Sequence, residues 1–153
     1  TVRAHQDQAR LRNISLIVQL EEDIDIVVDV SAFSIILSNF VTNALKHSPS
    51  NSEILIKNDL EDDFLTTLSV IDHGKGIPKK YRDRVFERFF RVDKGRAKHS
   101  GGTGLGLAIS KHLARLMGYE VGMKPNKPNG SRFWISVNYA SSEEEKSLTP
   151  ELA

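Results

Sequence analysis

Residues 31–47 read SAFSIILSNFVTNALKH, and two different periodic stripes run through them. Phe33, Ile36, Leu37, Phe40, Val41 and Ala44 fall on one side of a 3.6-residue wheel, which predicts an amphipathic helix from Ser31 to His47. Ser31 is the expected N-cap, and Pro49 lies beyond the end. Away from the apolar stripe, Asn39, Asn43 and Lys46 stand at i, i+4 and i+7, within about 60° of one another. A solvated outer face is one reading of them. Against it, Asn is a poor helix former where Glu, Lys or Gln would meet water better. Two amides and an ammonium together offer a metal-ligand oxygen and a partner for phosphate.

Upstream of this helix, residues 1–12 are expected to be a short helix. Ile14–Leu20 and Asp25–Val30 read as two strands joined by the acidic turn Glu21-Glu22-Asp23. Downstream, Glu53–Asn58 and Phe64–Asp72 read as strands separated by an acidic turn at Asp59–Asp63. Gly74, Gly76 and Pro78 then interrupt regular structure. Pro78–Phe86 is expected to be a short charged helix, and the polar stretch from Lys94 to Gly102 a loop. Leu105, Ile109, Leu113 and Leu116 predict a helix over Leu105–Met117, with Gly118 at the left-handed position after its end. Tyr119–Met123 and Arg132–Tyr139 close the pattern as strands, linked by the turn-rich Pro125-Asn126-Lys127-Pro128-Asn129-Gly130. No internal repeat is present. Strands and helices mix without strict alternation, so an α+β two-layer sandwich is favoured over a doubly wound parallel sheet.

The whole chain has 153 residues, enough for one domain with a real core. Residues 1–140 are assigned to it; Ser141–Ala153, with Glu143-Glu144-Glu145 and almost no core-forming residue, is expected to be a frayed tail. Apolar residues make up 39% and charged residues 27%, with 21 Lys and Arg against 20 Asp and Glu. That balance argues against wholesale disorder and against a general nucleic-acid or membrane-surface role. The absence of Cys removes disulfides, zinc-thiolate sites and thiol nucleophiles. No apolar run approaches the roughly 18–20 residues of a membrane span. The start at Thr1, without an initiator Met or a signal-peptide pattern, reads as a fragment of something longer.

Three further stretches carry chemistry. Leu68, Val70 and Asp72 share one face of a strand by period-two alternation, so the Asp72 carboxylate is expected to point toward the apolar layer or a pocket cut in it. Such a carboxylate needs donors, and Gly74-Lys75-Gly76-Ile77 lets the backbone turn tightly beside a flat ligand. Gly101-Gly102-Thr103-Gly104-Leu105-Gly106-Leu107 runs straight into a helix, whose exposed N–H groups and dipole favour phosphate oxygens. It is not the dinucleotide fingerprint, because the third glycine position falls on Leu107 or Ile109. Gly74-Lys75 is no Walker loop either, being followed by Gly76 and preceded at the required distance by Ser69. In Phe86-Glu87-Arg88-Phe89-Phe90-Arg91 the phenylalanines suit an aromatic anchor, and Arg88 and Arg91 suit phosphate. The five histidines form no metal-spaced cluster, and no Ser sits in a nucleophile elbow.

Taken in order, Asn39…Asn43-Ala44…Lys46-His47-Ser48, Asp72-His73-Gly74-Lys75-Gly76-Ile77, Phe86–Arg91 and Gly102–Leu107 make a chain that resembles the ATP-binding catalytic domain of sensor histidine kinases. The resemblance covers roughly residues 14 to 139. It implies the Bergerat sandwich shared with gyrase, a class of heat-shock chaperones and mismatch-repair ATPases, with a mixed, mostly antiparallel sheet covered by helices on one face. It also implies ATP and Mg²⁺ as cofactors. On this resemblance Asn43 is the Mg²⁺ ligand, with Asn39 lining the same wall. Lys46 and Arg88 meet phosphate, and His47 lies near the nucleotide. Asp72 accepts from the adenine amino group, with Gly74, Gly76 and Ile77 shaping the base pocket. Gly102, Thr103, Gly104, Leu105 and Gly106 close the far side under a lid from Lys94 to Gly101.

Gyrase-like relatives carry a Glu at the position of Asn39. Asn cannot take a proton from water, so phosphoryl transfer to a nucleophile supplied elsewhere is the matching chemistry. Tyr119 stands where these kinases often have Gly, which implies a local change in that turn. None of the five histidines lies in an acceptor motif. The expected partners are therefore a dimerisation domain of the same parent protein and a downstream response regulator, with no nucleic acid and no membrane contact by this fragment. The expected location is cytoplasmic. The alternatives are a protein-serine kinase of the anti-sigma-factor type and a degenerate nucleotide-binding docking module.

Overall fold

The computed structural model describes residues 2–20, 25–61, 64–92 and 102–140. The segments expected to be a lid, Lys94 to Gly101, and a tail, Ser141 to Ala153, lie outside the described residues. A short 3₁₀ turn, Val2–His5, leads into α1 (Gln6–Leu11); then come β1 (Ser15–Gln19), β2 (Asp25–Ile26), α2 (Val30–His47), β3 (Glu53–Leu60), β4 (Leu65–Ile71), α3 (Gly106–Leu116), β5 (Glu120–Pro125) and β6 (Ser131–Ala140). The strands form one sheet in the order β1-β3-β4-β6-β2, with β5 also paired to β6. Among the described residues only β1 and β3 run parallel, the other pairings being antiparallel. The fold is the expected α+β two-layer sandwich, a mixed and mostly antiparallel sheet with its helices on one side.

Register explains the layering. Ile56 of β3 opposes Val70 of β4, which opposes Phe133 of β6, so one face of the sheet presents a continuous apolar row. Ile36, Phe40, Val41 and Ala44 of α2 and Ala114 of α3 close over it, all buried. Phe133 meets the ring of Phe40 at 5.7 Å and that of Phe86, edge-on, at 6.1 Å. Burying such side chains contributes about 1.5–3 kcal/mol each.

The opposite face is polar. Arg132 Nη2 lies 2.5 Å from Asp59 Oδ2 and Lys57 Nζ 2.6 Å from Oδ1, while Arg132 Nε donates to Ser69 Oγ at 2.9 Å. Burial alone would raise the Asp59 pKa, but its two cations hold it below the usual carboxylate value. Beside them the Trp134 indole lies flat on Gly122, where a Cβ would come within 2.3 Å of the ring.

Three expectations change. The α2 cap is Asp29, whose Oδ1 accepts from Ala32 N at 2.8 Å, because the helix already begins at Val30 and leaves Ser31 inside the first turn. The expected strand at Asp25–Val30 shrinks to two residues and does not pair with β1: β1 joins β3 and β2 joins β6, at opposite edges. Pro78–Phe86 is no α-helix. One 3₁₀ turn, Lys79–Tyr81, continues as turns closed by bonds three residues apart, from Tyr81 N to Pro78 O and from Arg84 N to Tyr81 O. Tertiary contacts shape this stretch, with Val85 in the core and the rings of Tyr81 and Phe90 at 5.7 Å.

Candidate nucleotide site

The site residues fall into two groups along the seam between α2 and the sheet. At one end Asp72 leaves β4 on the helix side, as its alternation with Val70 requires, and is only 2% exposed. Its Oδ1 accepts from Gly74 N at 2.8 Å and Ser131 N at 3.2 Å. Burial raises the Asp72 pKa; the two backbone donors and His73 oppose that and do not overcome it. A Cβ on Gly74 would sit 2.5 Å from the carbonyl oxygen of His47, so the turn after β4 packs directly on the end of α2. His47 itself is exposed. Gly76 faces Gly130 O, and Ile77 packs against the core while its carbonyl accepts from Arg82 Nε at 3.0 Å.

Sequence reasoning missed the second wall of this end. Gly130 has φ +117°, and a Cβ there would lie 1.9 Å from Asp72 O, so no other residue lets β6 start where it does. Asn126 Nδ2 donates to Asp72 O at 3.0 Å and lies 3.3 Å from His73 Nδ1. Nothing but a cluster of turn-forming residues marked Asn126 and Gly130 in the sequence.

At the other end, α2 meets the start of α3. Asn39 Nδ2 donates to Gly106 O at 2.9 Å and to Ser110 Oγ at 3.0 Å, and the buried Ser110 hydroxyl donates to Gly106 O at 3.0 Å. Ser110 too was unmarked, being one polar residue within an apolar helix face. Asn43 follows one turn along α2, half-buried, and Lys46 lies exposed at its end. Partial burial lowers the Lys46 pKa, and the field of Arg91 lowers it further, so two cations converge here. Arg88, the guanidinium favoured by resemblance, is exposed; Arg91 is the one whose field reaches Lys46.

Gly102 is half-buried and Thr103 exposed, with Thr103 Oγ1 accepting from Leu105 N at 3.3 Å. Gly104 O accepts from Phe89 N at 2.9 Å, which ties the glycine loop to the aromatic segment. Among the described residues no side chain caps α3 at Leu105, which leaves the first N–H groups of that helix to other acceptors. Among the described residues no three His, Asp or Glu side chains group to hold a metal. A divalent cation here would rest on an amide oxygen and on phosphates, as suits Mg²⁺.

A helix-covered mixed sheet with a buried Asp at one end of a helix seam and an uncapped, glycine-led helix at the other defines a nucleotide-binding ATPase domain. Residues 28–141 match the family described as "Histidine kinase-, DNA gyrase B-, and HSP90-like ATPase", and the chain belongs to it. It is 36% identical over 126 residues to sensor histidine kinase WalK of Bacillus subtilis, covering 82% of this chain and 21% of that protein. The mycobacterial sensor histidine kinase MprB superimposes with a TM-score of 0.77 at 28% identity, over 91% of each chain. Full-length ShkA gives 0.78 at 28% identity, over 92% of this chain and 28% of that one. Within the family this is the catalytic ATP-binding domain of the sensor-histidine-kinase type, and the serine-kinase alternative is not favoured. The chain spans about a fifth of the length of the curated relatives it matches. Among the described residues no helix is long and apolar enough to cross a membrane.

Proposed function

We propose that the domain binds Mg-ATP between α2 and α3 and donates the γ-phosphoryl group to a His on a separate dimerisation domain of its parent protein, for relay to a response regulator. The observation that carries this is the Asn39 clasp, which brings the polar stripe of α2 against the uncapped start of α3. The structure of ShkA, similar over most of this chain, is of a complex with AMPPNP.

Adenine lies at Asp72. Both backbone donors meet Oδ1, which leaves Oδ2 to accept a hydrogen bond from the adenine amino group. The triphosphate runs toward Lys46, Arg88 and Arg91 and the first N–H groups of α3. Mg²⁺, held by the Asn43 amide oxygen and the phosphates, would neutralise charge on the transferring group. Asn39 has no proton-accepting function, and its amide nitrogen is already engaged, so water is not activated there. An acceptor imidazole nitrogen forms the new P–N bond as the bond from phosphorus to the β–γ bridging oxygen breaks, releasing ADP. Residues 1–140 are assigned to this domain, acting in the cytoplasm.

The test is radiolabelled ATP followed by acid or base. Alone with Mg-ATP the chain binds nucleotide and acquires no stable phosphohistidine. Mixed with its parent's dimerisation domain it labels that domain slowly in trans, because no tether supplies effective concentration, and the label is lost in acid and survives base. Acid-stable label on a partner Ser would refute the proposal.

A further inference from the structure

The segment ahead of β1 grips α2 at the turn that carries Lys46. Arg12 follows α1, and its guanidinium donates through Nη1 to the carbonyl of Leu45 and through Nη2 to that of Ser48 at 3.0 Å. These two acceptors bracket Lys46 and His47. The last carbonyls of a helix have no partner within it, and a planar guanidinium can hold two of them in fixed relative positions. The rest of α2's exit is tied by Ser48, whose N–H and hydroxyl both bond Ala44 O, at 2.9 and 2.7 Å.

Arg12 is not carried on a loose tether. Ala9 and Ile14 on either side of it are buried in the core, Ile14 N bonds Ala9 O at 2.9 Å, and Asn51 N bonds Asn13 O at 2.9 Å. A second contact grips α2 farther back, where His5 Nε2 lies 3.0 Å from Ser38 Oγ, one residue before Asn39.

Contacts run on from Arg12 into both ends of the site. Holding Leu45 O and Ser48 O sets the direction in which Lys46 leaves the helix. It also sets the carbonyl of His47, on which Gly74 packs with no room for a Cβ, and Gly74 N is one of the two donors that fix Asp72 Oδ1. We infer that Arg12 is a positioning residue for nucleotide binding, fixing the last turn of α2 so that Lys46 and the Gly74–Asp72 turn face the ligand together. This rests on the nucleotide reading of the site.

The experiment compares Mg-ATP affinity by calorimetry at a temperature where wild type, Arg12→Ala, Arg12→Lys and Val137→Ala are all folded. Val137 is a fully buried residue of β6 that pairs with Thr66, at the end of β4 away from Asp72, so its truncation loosens the core while leaving the Arg12 bonds in place. Arg12→Ala is expected to weaken Mg-ATP about fivefold or more. Arg12→Lys, able to reach one carbonyl at a time, falls between it and wild type, and Val137→Ala stays within twofold. Should Arg12→Ala fail to fold, Arg12→Lys decides: affinity equal to wild type overturns the inference. So does an Arg12→Ala affinity within twofold of wild type, or a loss that Val137→Ala reproduces. A wild-type chain that fails to bind Mg-ATP overturns the nucleotide reading itself, whereas wild-type binding that the Arg12 variants leave unchanged overturns this inference alone.

Discussion

The two ends of the site are built by opposite means. Around Asp72 the protein has supplied the partners in advance: two amide donors on one carboxylate oxygen, a carboxamide on the neighbouring carbonyl, and two glycines pressed onto backbone oxygens. Around Lys46, partial burial and the field of Arg91 lower the lysine's pKa, and among the described residues no side chain caps the start of α3. On the proposed reading, the base end is built in advance and the phosphate end is completed by the ligand. Substitutions that crowd the glycine turns at the first should therefore register as folding defects as well as binding defects, and those at the second almost purely as binding defects.

The largest expected effect is on stability. Gly130→Ala forces a Cβ toward Asp72 O at a backbone angle that Ala avoids, costing about 2–4 kcal/mol and lowering Tm by about 5–15 °C in a thermal melt. Gly106→Ala, where the nearest atom to the added Cβ is an Asn39 side-chain atom at 3.4 Å, should stay within about 1 kcal/mol of wild type. Equal losses in the two variants would erase the contrast between the ends.

Next is Asp72→Asn, which can keep both backbone donors on its remaining oxygen while presenting an NH₂ where a carboxylate oxygen stood. Adenine nucleotides should weaken by about 10- to 100-fold, and the preference for ATP over GTP should vanish, as read by calorimetry. Stability should move the other way. A raised pKa means that the native state holds the Asp72 proton more tightly than the unfolded chain does, so wild-type stability rises as pH falls through the folded value toward the ordinary 3.8. Above that window the ionised group is a cost to the fold. Asp72→Asn should flatten the acid side of the stability curve and melt no lower than wild type at pH 7. A variant that loses stability at neutral pH would show that the carboxylate is structural there.

The smallest effect belongs to the exposed cation. Lys46→Ala should leave Tm unchanged and weaken ATP by about 2- to 5-fold, with adenosine unaffected and the difference shrinking in salt. Because burial and Arg91 already lower the Lys46 pKa, and bound phosphate would raise it again, wild-type affinity for ATP should fall as pH rises through that lowered value. Adenosine binding that falls in step with ATP would assign Lys46 to the base end.

What could be read in the sequence follows the same division. The long amphipathic α2 and the alternating β4 announced themselves because their periods are local, and Asp72 turned inward where its alternation put it. The helix start did not, since Asp29 and Ser31 are both good caps and only the backbone decides between them. Residues 78–86 resemble a helix in composition, yet contacts between Tyr81, Arg84 and Phe90 wind them differently, with the Arg84 guanidinium 4.6 Å over the Phe90 ring. The partners that complete the site, Ser110 for Asn39 and Asn126 for Asp72, lie 71 and 54 residues away along the chain. Neither carries a spacing signal, because each acts through a single polar group brought in by the fold.

Trp134, packed on Gly122 on the face of the sheet away from the helices, is the chain's one tryptophan. Among the described residues its indole nitrogen is buried with no hydrogen-bond partner. Its emission is expected to shift to the red as β5 parts from β6 and the indole nitrogen meets water. With nucleotide on the helix-covered face, as proposed, this fluorescence should follow the integrity of the sheet and not occupancy, so folding and ligand binding could be followed separately in one cuvette.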